Sequence, residues 1–273
     1  MHIEIAFPVI NTELKTFDMV LIDTHCHLYL EEFEQDIDNV INNASKEGVK
    51  KFYLPGIDSS VIDKMISLEK RFPGKCVAMS GLHPCSVKQN YFDELETVKN
   101  WLNKRPFSAI GEIGLDFYWD KTFVVEQEDA FRTQIEWSLL HGLPIVIHTR
   151  NAMQETIGIV KEYVPKGVRG IFHCFSGNYD DAQAIIQAGF YLGVGGVVTY
   201  KNSGLAETLI NIGLEHMVLE TDAPYLTPVP YRGKRNESSY LKYVLEKLAT
   251  IKNCSVEEVA AVTTENAEKI FAV

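Results

Sequence analysis

The run Val20-Leu21-Ile22-Asp23-Thr24-His25-Cys26-His27 reads as a short apolar strand that ends in two histidines. Side chains alternate faces along a strand, so His25 and His27 are expected on one face and Cys26 on the other. Two imidazoles on one side of a strand end can grip one metal ion without any loop closure. In a chain with eight histidines a lone His-X-His pair carries little weight. Weight comes from later apolar runs that end in the same residue types. These are Gly81-Leu82-His83-Pro84-Cys85, Gly111-Glu112-Ile113-Gly114-Leu115-Asp116, Ile147-His148-Thr149-Arg150, Phe172-His173-Cys174-Phe175-Ser176-Gly177 and Leu219-Glu220-Thr221-Asp222-Ala223-Pro224-Tyr225-Leu226. His25, His27, His83, His148 and His173 lie in such stretches; His2, His141 and His216 lie elsewhere and read as surface or capping residues. Neutral imidazole and carboxylate are the usual ligands for zinc, manganese and similar ions. Taken singly, each residue reads as a buried, hydrogen-bonded histidine or a surface acid. Taken together they suit a two-metal site, in which the two oxygens of Glu112 bridge ions about 3.5–4 Å apart.

The elements that must position these residues follow from hydrophobic periodicity. Strands are predicted at 20–26, 51–56, 75–81, 107–113, 144–149, 169–174, 190–195 and 217–221. Helices are predicted between them at 31–47, 59–72, 91–104, 123–142, 151–163, 179–188 and 203–212, with 238–252 and 255–270 closing the chain. Leu241, Val244, Leu245, Leu248 and Ile251 make an apolar stripe at helical spacing. Gly48, Gly142, Gly189 and Gly213 each follow a helical pattern and are expected to stop it. Eight strands alternating with helices imply an α/β fold with a parallel sheet, closed by right-handed crossovers into a (β/α)8 TIM barrel of one domain. The rival, an open doubly wound sheet, lacks its fingerprint: no G-x-G-x-x-G opens a helix after the first strand, and no Walker A motif is present. The barrel is assigned to residues 19–273. Residues 1–18 form an N-terminal extension of unknown role, an edge strand or a loose arm, and Met19 is an alternative start.

In such a barrel, functional residues sit at the C-terminal ends of the strands, where the stretches quoted above fall. Composition bounds the partners. With 26 basic and 37 acidic residues the chain carries a net charge of −11, which argues against wrapping long duplex DNA. A phosphate-bearing substrate is still admissible, because bound divalent ions supply local positive charge. No apolar run approaches the ~20 residues that span a bilayer. No basic stretch leads into an apolar one at the start, so no secretory signal is read. Five cysteines, at 26, 76, 85, 174 and 254, form no CxxC pair, which points to reduced thiols and a cytoplasmic protein.

From Leu21 to about Phe271 the chain resembles the TatD family of metal-dependent deoxyribonucleases, within the amidohydrolase-like barrels. The resemblance rests on Asp23-Thr24-His25-Cys26-His27, Gly81-Leu82-His83-Pro84, Gly111 to Asp116, Ile147 to Arg150, His173 to Gly177 and Glu220 to Leu226. It implies a (β/α)8 barrel that hydrolyses phosphodiesters of DNA with two divalent ions (Zn, Mn, Mg or Ni), as an exonuclease on single strands. It implies that His25, His27, Glu112 and Asp222 hold one ion and that Glu112, His148 and His173 hold the second. The chain departs from the family pattern at Cys85, where a histidine is frequent, at Asn151, where aspartate is usual, and at Ser238, where proline is usual. None of these removes a ligand. Cys85 lies two residues beyond His83, so it is either turned toward the site or a small buried hydrophobe.

The chemistry follows from the parts. Asp222 is expected to be ligand and general base, with Glu112 and His83 as its catalytic companions. Arg150 and Arg235 are candidate phosphate clamps, since guanidinium meets phosphate in a bidentate fork; the competing reading is a surface ion pair. His83 either binds phosphate or stabilises the leaving oxygen, unless it only supports a ligand. Two other classes compete. The same site could cleave an ester or amide, such as an aminoacyl ester on tRNA. Related barrels often bridge their metals with a carboxylated lysine, but here strand four offers Glu112 and no lysine, which favours the nuclease. A non-enzymatic metal-binding interaction protein is disfavoured because every ligand position is filled. DNA or nucleotide ends are the expected partners, with no membrane.

Overall fold

A computed structural model describes residues 19–272. The predicted N-terminal arm, residues 1–18, lies outside the described residues.

Among the described residues eight strands alternate with helices: β1 Leu21–Asp23, α1 Ile37–Lys46, β2 Val49–Leu54, α2 Ile62–Arg71, β3 Cys76–Ala78, α3 Tyr91–Lys104, β4 Ile110–Asp116, α4 Val124–His141, β5 Ile145–Arg150, α5 Met153–Tyr163, β6 Gly170–Phe172, α6 Tyr179–Gln187, β7 Tyr191–Val194, α7 Leu205–Leu209, β8 Met217–Leu219, α8 Leu241–Lys252 and α9 Val256–Phe271. Every strand pairing is parallel. The continuous ladders form a three-stranded arc, β1-β2-β3, and a five-stranded arc, β4 through β8.

The arcs meet at two seams. At one, Ser80 pairs with Ile110: the Ser80 N–H donates to the Ala109 carbonyl at 3.2 Å and the Gly111 N–H to the Ser80 carbonyl at 3.0 Å. At the other, Cys26 pairs with Ala223. There the Thr24 N–H donates to the Leu219 carbonyl (3.1 Å), the His27 N–H to Ala223 (2.7 Å) and the Asp222 N–H to His25 (2.9 Å). The eight strands thereby close into the barrel.

The helices exist because each buries one stripe. In α1, Ile37, Val40, Ile41 and Ala44 are buried at helical spacing while the other face meets water. Inside the barrel, Ile22, Tyr53, Met79, Val146, Ile171 and Val218 pack together. The last helix plugs the end where the strands begin. Ala267, Ile270 and Phe271 join that inner cluster, Phe271 stacks on Tyr53 at 3.8 Å, and Asn266 donates to the carbonyls of Leu214 and Met217. That end is therefore filled, and the stretches read as functional lie toward the other, C-terminal end of the barrel.

Several boundaries differ from expectation. The strand read at 20–26 ends at Asp23, because beyond it the backbone turns its hydrogen bonds to Tyr53 and to the β8 end rather than continuing one ladder. The helix read at 31–47 splits into a turn of 3-10 helix at Glu31–Phe33 and α1. The segment at 203–212 yields only five helical residues, Leu205–Leu209. Gly48, Gly142 and Gly189 do adopt the left-handed backbone of a helix stop, at φ +90°, +66° and +82°. Gly213 does not: its φ is −65°, and it leads into a short 3-10 turn instead.

Candidate metal centre

The side chains predicted at the strand ends meet at one point of the barrel mouth. Glu112 is the centre, 2% exposed. It sits at an irregularity in the longest ladder, where the β4–β5 register slips between Gly111 and Ile113. Such bulges re-aim a side chain out of the regular pleat. The His25 Nε2 lies 3.2 Å and the His27 Nε2 3.6 Å from its Oε2. The Asp222 Oδ1 lies 3.7 and 3.5 Å from those same two nitrogens, which are 3.3 Å apart. Ligands about 2.1 Å from a tetrahedral ion stand about 3.4 Å from one another, so this spacing fits a divalent metal. On the other oxygen, Oε1, converge the His148 Nδ1 at 2.9 Å and the His173 Nε2 at 3.5 Å. The two carboxylate oxygens of Glu112 therefore face different imidazoles, Oε2 toward His25 and His27 and Oε1 toward His148, His173 and His83, with the His25 and His173 rings stacked at 3.5 Å between the two groups.

What stands behind each imidazole fixes which nitrogen has a lone pair to offer. The Tyr29 hydroxyl donates to the Pro55 carbonyl and so must accept from the His27 Nδ1–H at 3.0 Å, which leaves Nε2 bare. The His148 Nε2 lies 2.9 Å from the Asp116 carboxylate, so its proton points there and Nδ1 faces Glu112. The His173 Nδ1 lies 3.1 Å from Glu220, which directs its Nε2 inward. His25 is fully buried and its Nδ1 has no partner. His83 is oriented the opposite way. Its Nδ1 accepts the Cys85 N–H at 3.0 Å, so its proton sits on Nε2, 3.5 Å from Glu112 Oε1. A nitrogen that carries a proton offers no lone pair. His27, His148 and His173 thus turn an unprotonated nitrogen toward Glu112 when neutral, His25 has no partner that fixes its tautomer, and His83 turns an N–H toward Glu112.

The electrostatics show how strongly these groups interact. Burial pushes the Glu112 carboxyl up, but His83, His25, His173 and His148 outweigh it and hold it well below the usual carboxylate range. Burial likewise raises Asp222, and the adjoining His27 imidazole with the charges of His173 and His25 brings it below its ordinary value. Burial lowers His173, yet Glu220, Glu112 and Asp222 lift it to about 10. For His148 the hydrogen bonds to Asp116 and Glu112 also overcome burial and raise it. His25, deepest of all and beside His173, is lowered.

The backbone at the mouth is held in costly conformations. Asp222, Cys174 and Asn151 each take a positive φ, at +57°, +47° and +53°, within three residues of the ends of β8, β6 and β5. Non-glycine residues rarely do so, and such positions cluster at functional sites. Two close approaches demand glycine. A Cβ on Gly114 would lie 2.0 Å from the His148 carbonyl, and one on Gly193 would lie 2.3 Å from the Glu220 carboxylate.

Three residues of the site carry roles that the sequence reading did not give them. Asp116 orients His148. Its signal was present, since Glu112, Gly114 and Asp116 alternate onto one face of β4. Glu220 supports His173 from below. It is fully buried and accepts the Cys174 N–H, so it is walled off from anything entering the mouth. Tyr29 lies past the end of β1 and left no periodic signal.

The two predicted arginines part company. Arg150 is exposed at the mouth and lies over the Tyr118 ring at 3.9 Å. Arg235 departs from the expected phosphate clamp. Its guanidinium is already forked onto Asp36 at 2.9 and 2.7 Å, donates to Glu237 at 2.9 Å and covers the Phe33 ring. The cysteines are all free. Cys26 is fully buried with its Sγ 3.7 Å from the Tyr53 carbonyl, and Cys85 contributes its backbone N–H to His83. Ser238 donates to the buried Asp23 carboxylate at 2.6 Å, which Thr221 also caps.

Comparison with known proteins gives one answer. The family model described as TatD related DNase matches residues 22–272. A Bacillus subtilis protein described as the uncharacterized metal-dependent hydrolase YabD is 38% identical over 253 residues, covering 92% of this chain and 99% of the relative. A 3'-5' ssDNA/RNA exonuclease TatD of Erwinia tasmaniensis is 28% identical over 257 residues, covering 92% and 99%. Among solved structures, the TatD homolog YJJV of Escherichia coli K12 superposes with a TM-score of 0.88 at 27% identity, covering 94% of this chain and 99% of that one. Among the described residues no helix is long and apolar enough to cross a membrane.

Proposed function

The chain belongs to the TatD related DNase family and is a metal-dependent hydrolase, and from that premise we propose that it cleaves phosphodiester bonds of DNA as an exonuclease on single strands, using two divalent ions. The observation that carries the two-ion reading is the division of Glu112, with Oε2 toward His25 and His27 and Oε1 toward His148 and His173. His25, His27, Glu112 and Asp222 would hold one ion, and Glu112, His148 and His173 the other. When bound, such ions lower the pKa of water and offset the charge that builds on phosphoryl oxygens.

The protein's own groups do the rest. Asp222 accepts the proton of the attacking water; its carboxyl is ionised at neutral pH and retains some solvent contact, 13% of its side chain. His83 offers its Nε2–H to a phosphoryl or leaving oxygen, and the Cys85 N–H keeps it in that tautomer. Tyr29, Asp116 and Glu220 hold three imidazoles in place, so no reorganisation is needed during the reaction. Arg150, with its guanidinium stacked on Tyr118, draws in the phosphate backbone.

The test is cleavage of a 3'-labelled single-stranded oligonucleotide beside an aminoacyl-tRNA ester, with metal content measured on the same sample. Stepwise, metal-dependent loss of nucleotides from the strand is expected, with the ester untouched. Turnover of the ester alone would move the protein to the esterase class.

A further inference from the structure

Large apolar side chains are concentrated where the barrel opens. Of the twelve exposed large hydrophobics among the described residues, six stand in the loops after β4 and β8: Tyr118, Trp119, Tyr225, Leu226, Val229 and Tyr231. Trp119 is 68% exposed. It is nevertheless held in a fixed loop. Its N–H and that of Tyr118 both donate to Asp116 Oδ1, at 3.1 and 2.9 Å, and the Phe117 N–H donates to the Arg150 carbonyl at 2.8 Å. At the far end of the loop Asp120 pairs with Lys88 at 2.9 Å. An ordered loop that holds a tryptophan in water forgoes the burial a tryptophan normally gains.

The Arg150 guanidinium lies 3.9 Å from the Tyr118 ring centre and 5.2 Å from that of Trp119. The Tyr118 and Trp119 rings meet edge to face, 4.9 Å apart at 84°, so arginine and the two rings form one cationic, aromatic cluster in which Tyr118 and Arg150 buttress the indole. The same Asp116 that holds this surface through Oδ1 holds His148 through Oδ2, and His148 touches Glu112. A single carboxylate thus sets the distance between the surface and the candidate metal centre. The Arg232–Tyr200 pair at 4.2 Å differs, since the Tyr200 hydroxyl is tied to the Thr227 carbonyl.

We propose that Trp119, with Tyr118 and Arg150, is a stacking platform for one unpaired nucleobase of the strand whose phosphate sits at the metal centre. This rests on the phosphodiesterase reading above. The chemistry selects the occupant. A nucleobase has a π-face for Trp119 and Arg150, and it is joined through one sugar to the phosphate that the neighbouring site attracts. Every base has such a face, so the platform accepts any sequence but requires the base to be out of a duplex.

The experiment compares steady-state kinetics on a short single-stranded oligonucleotide with those on the same strand made abasic at its last two nucleotides. The wild type is expected to show a KM about 5- to 100-fold lower for the base-bearing strand, the range of single stacking contacts. Trp119→Ala should collapse that preference, and Trp119→Phe should restore most of it. Circular dichroism of each variant checks the fold, which an exposed side chain leaves intact. A wild type that cleaves both strands with equal KM, or a Trp119→Ala variant that keeps the full preference, overturns the platform while the phosphodiesterase reading stands. A wild type that cleaves neither strand overturns that reading and the platform with it.

Discussion

The two sides of the candidate metal centre are each lined by a pair of imidazoles but are backed differently. Around Oε2 of Glu112, His27 leans on a neutral phenol that passes its hydrogen bond to a carbonyl, and His25 has nothing behind its Nδ1. Around Oε1, His148 and His173 each lean on a buried carboxylate, Asp116 and Glu220. A carboxylate behind an imidazole makes it a stronger base and a stronger ligand. It also makes it hold a proton when no ion is present. The half formed by His148 and His173 is therefore expected to bind its ion firmly but in competition with protons, and the half formed by His25 and His27 to bind with less dependence on pH.

Five outcomes break or sharpen that contrast. Glu112→Ala removes the one residue common to both halves. It should abolish turnover and empty both sites by metal analysis; one retained ion would mean that the halves are independent. Asp222→Asn keeps a ligand oxygen but accepts no proton at neutral pH. Turnover should drop by about 10²–10⁴-fold with KM little changed, because the lost interaction acts only in the transition state. If both metals and near-normal turnover survive, the proton acceptor lies elsewhere.

Asp116→Asn should weaken one of the two ions by about 10- to 100-fold, read by competition with a chelator. Tyr29→Phe should weaken the other by much less, and equal losses would remove the distinction between the halves. The pH dependence has a fixed sign. In the metal-free protein His173 keeps its proton up to about pH 10, and His148 is raised as well. Each must release a proton to bind an ion, so affinity in that half should rise by up to about tenfold per pH unit for each proton and flatten above the two pKa values. Calorimetry in buffers of different ionisation enthalpy reads the protons released. Arg235→Ala should have the smallest effect. Its ion pair with Asp36 is partly exposed and screened, so about 1 kcal/mol or less of stability is expected to go, measured by urea unfolding, with KM for oligonucleotides unchanged.

The sequence carried the alternation of eight strands with helices, because that depends on local period; of the six candidate ligands it read at strand ends, Glu112 lies within β4 and His25, His27, His173 and Asp222 lie one to four residues beyond their strands. It carried less where partners are remote. Arg235 could be read as a clamp because Asp36, which occupies it, lies 199 residues away. Tyr29 was silent for a similar reason, since its acceptor, Pro55, belongs to another strand end. Asp116 was visible in the pleat of β4 but looked like the tail of a motif; only the geometry of His148 gives it a task. His25 and His27 do meet the same point, although not by strand alternation. The ladder has ended at Asp23, and both rings are aimed by the crossing to Ala223 and Asp222.

The seams between the two arcs have a mechanical consequence. His25, His27 and Asp222 straddle the joint between β1 and β8, and Glu112 lies beside the joint between β3 and β4. An ion held by His25, Glu112 and Asp222 would clasp chain segments 87 and 110 residues apart, taken as 112 − 25 and 222 − 112. It would act on the unfolded chain as a cross-link does, shortening the loops that thermal motion can open. The barrel is then a cylinder laced at its mouth, where the hydrogen-bonded ladders are interrupted. The groups proposed to hold the ions would then also help to keep the two arcs from parting.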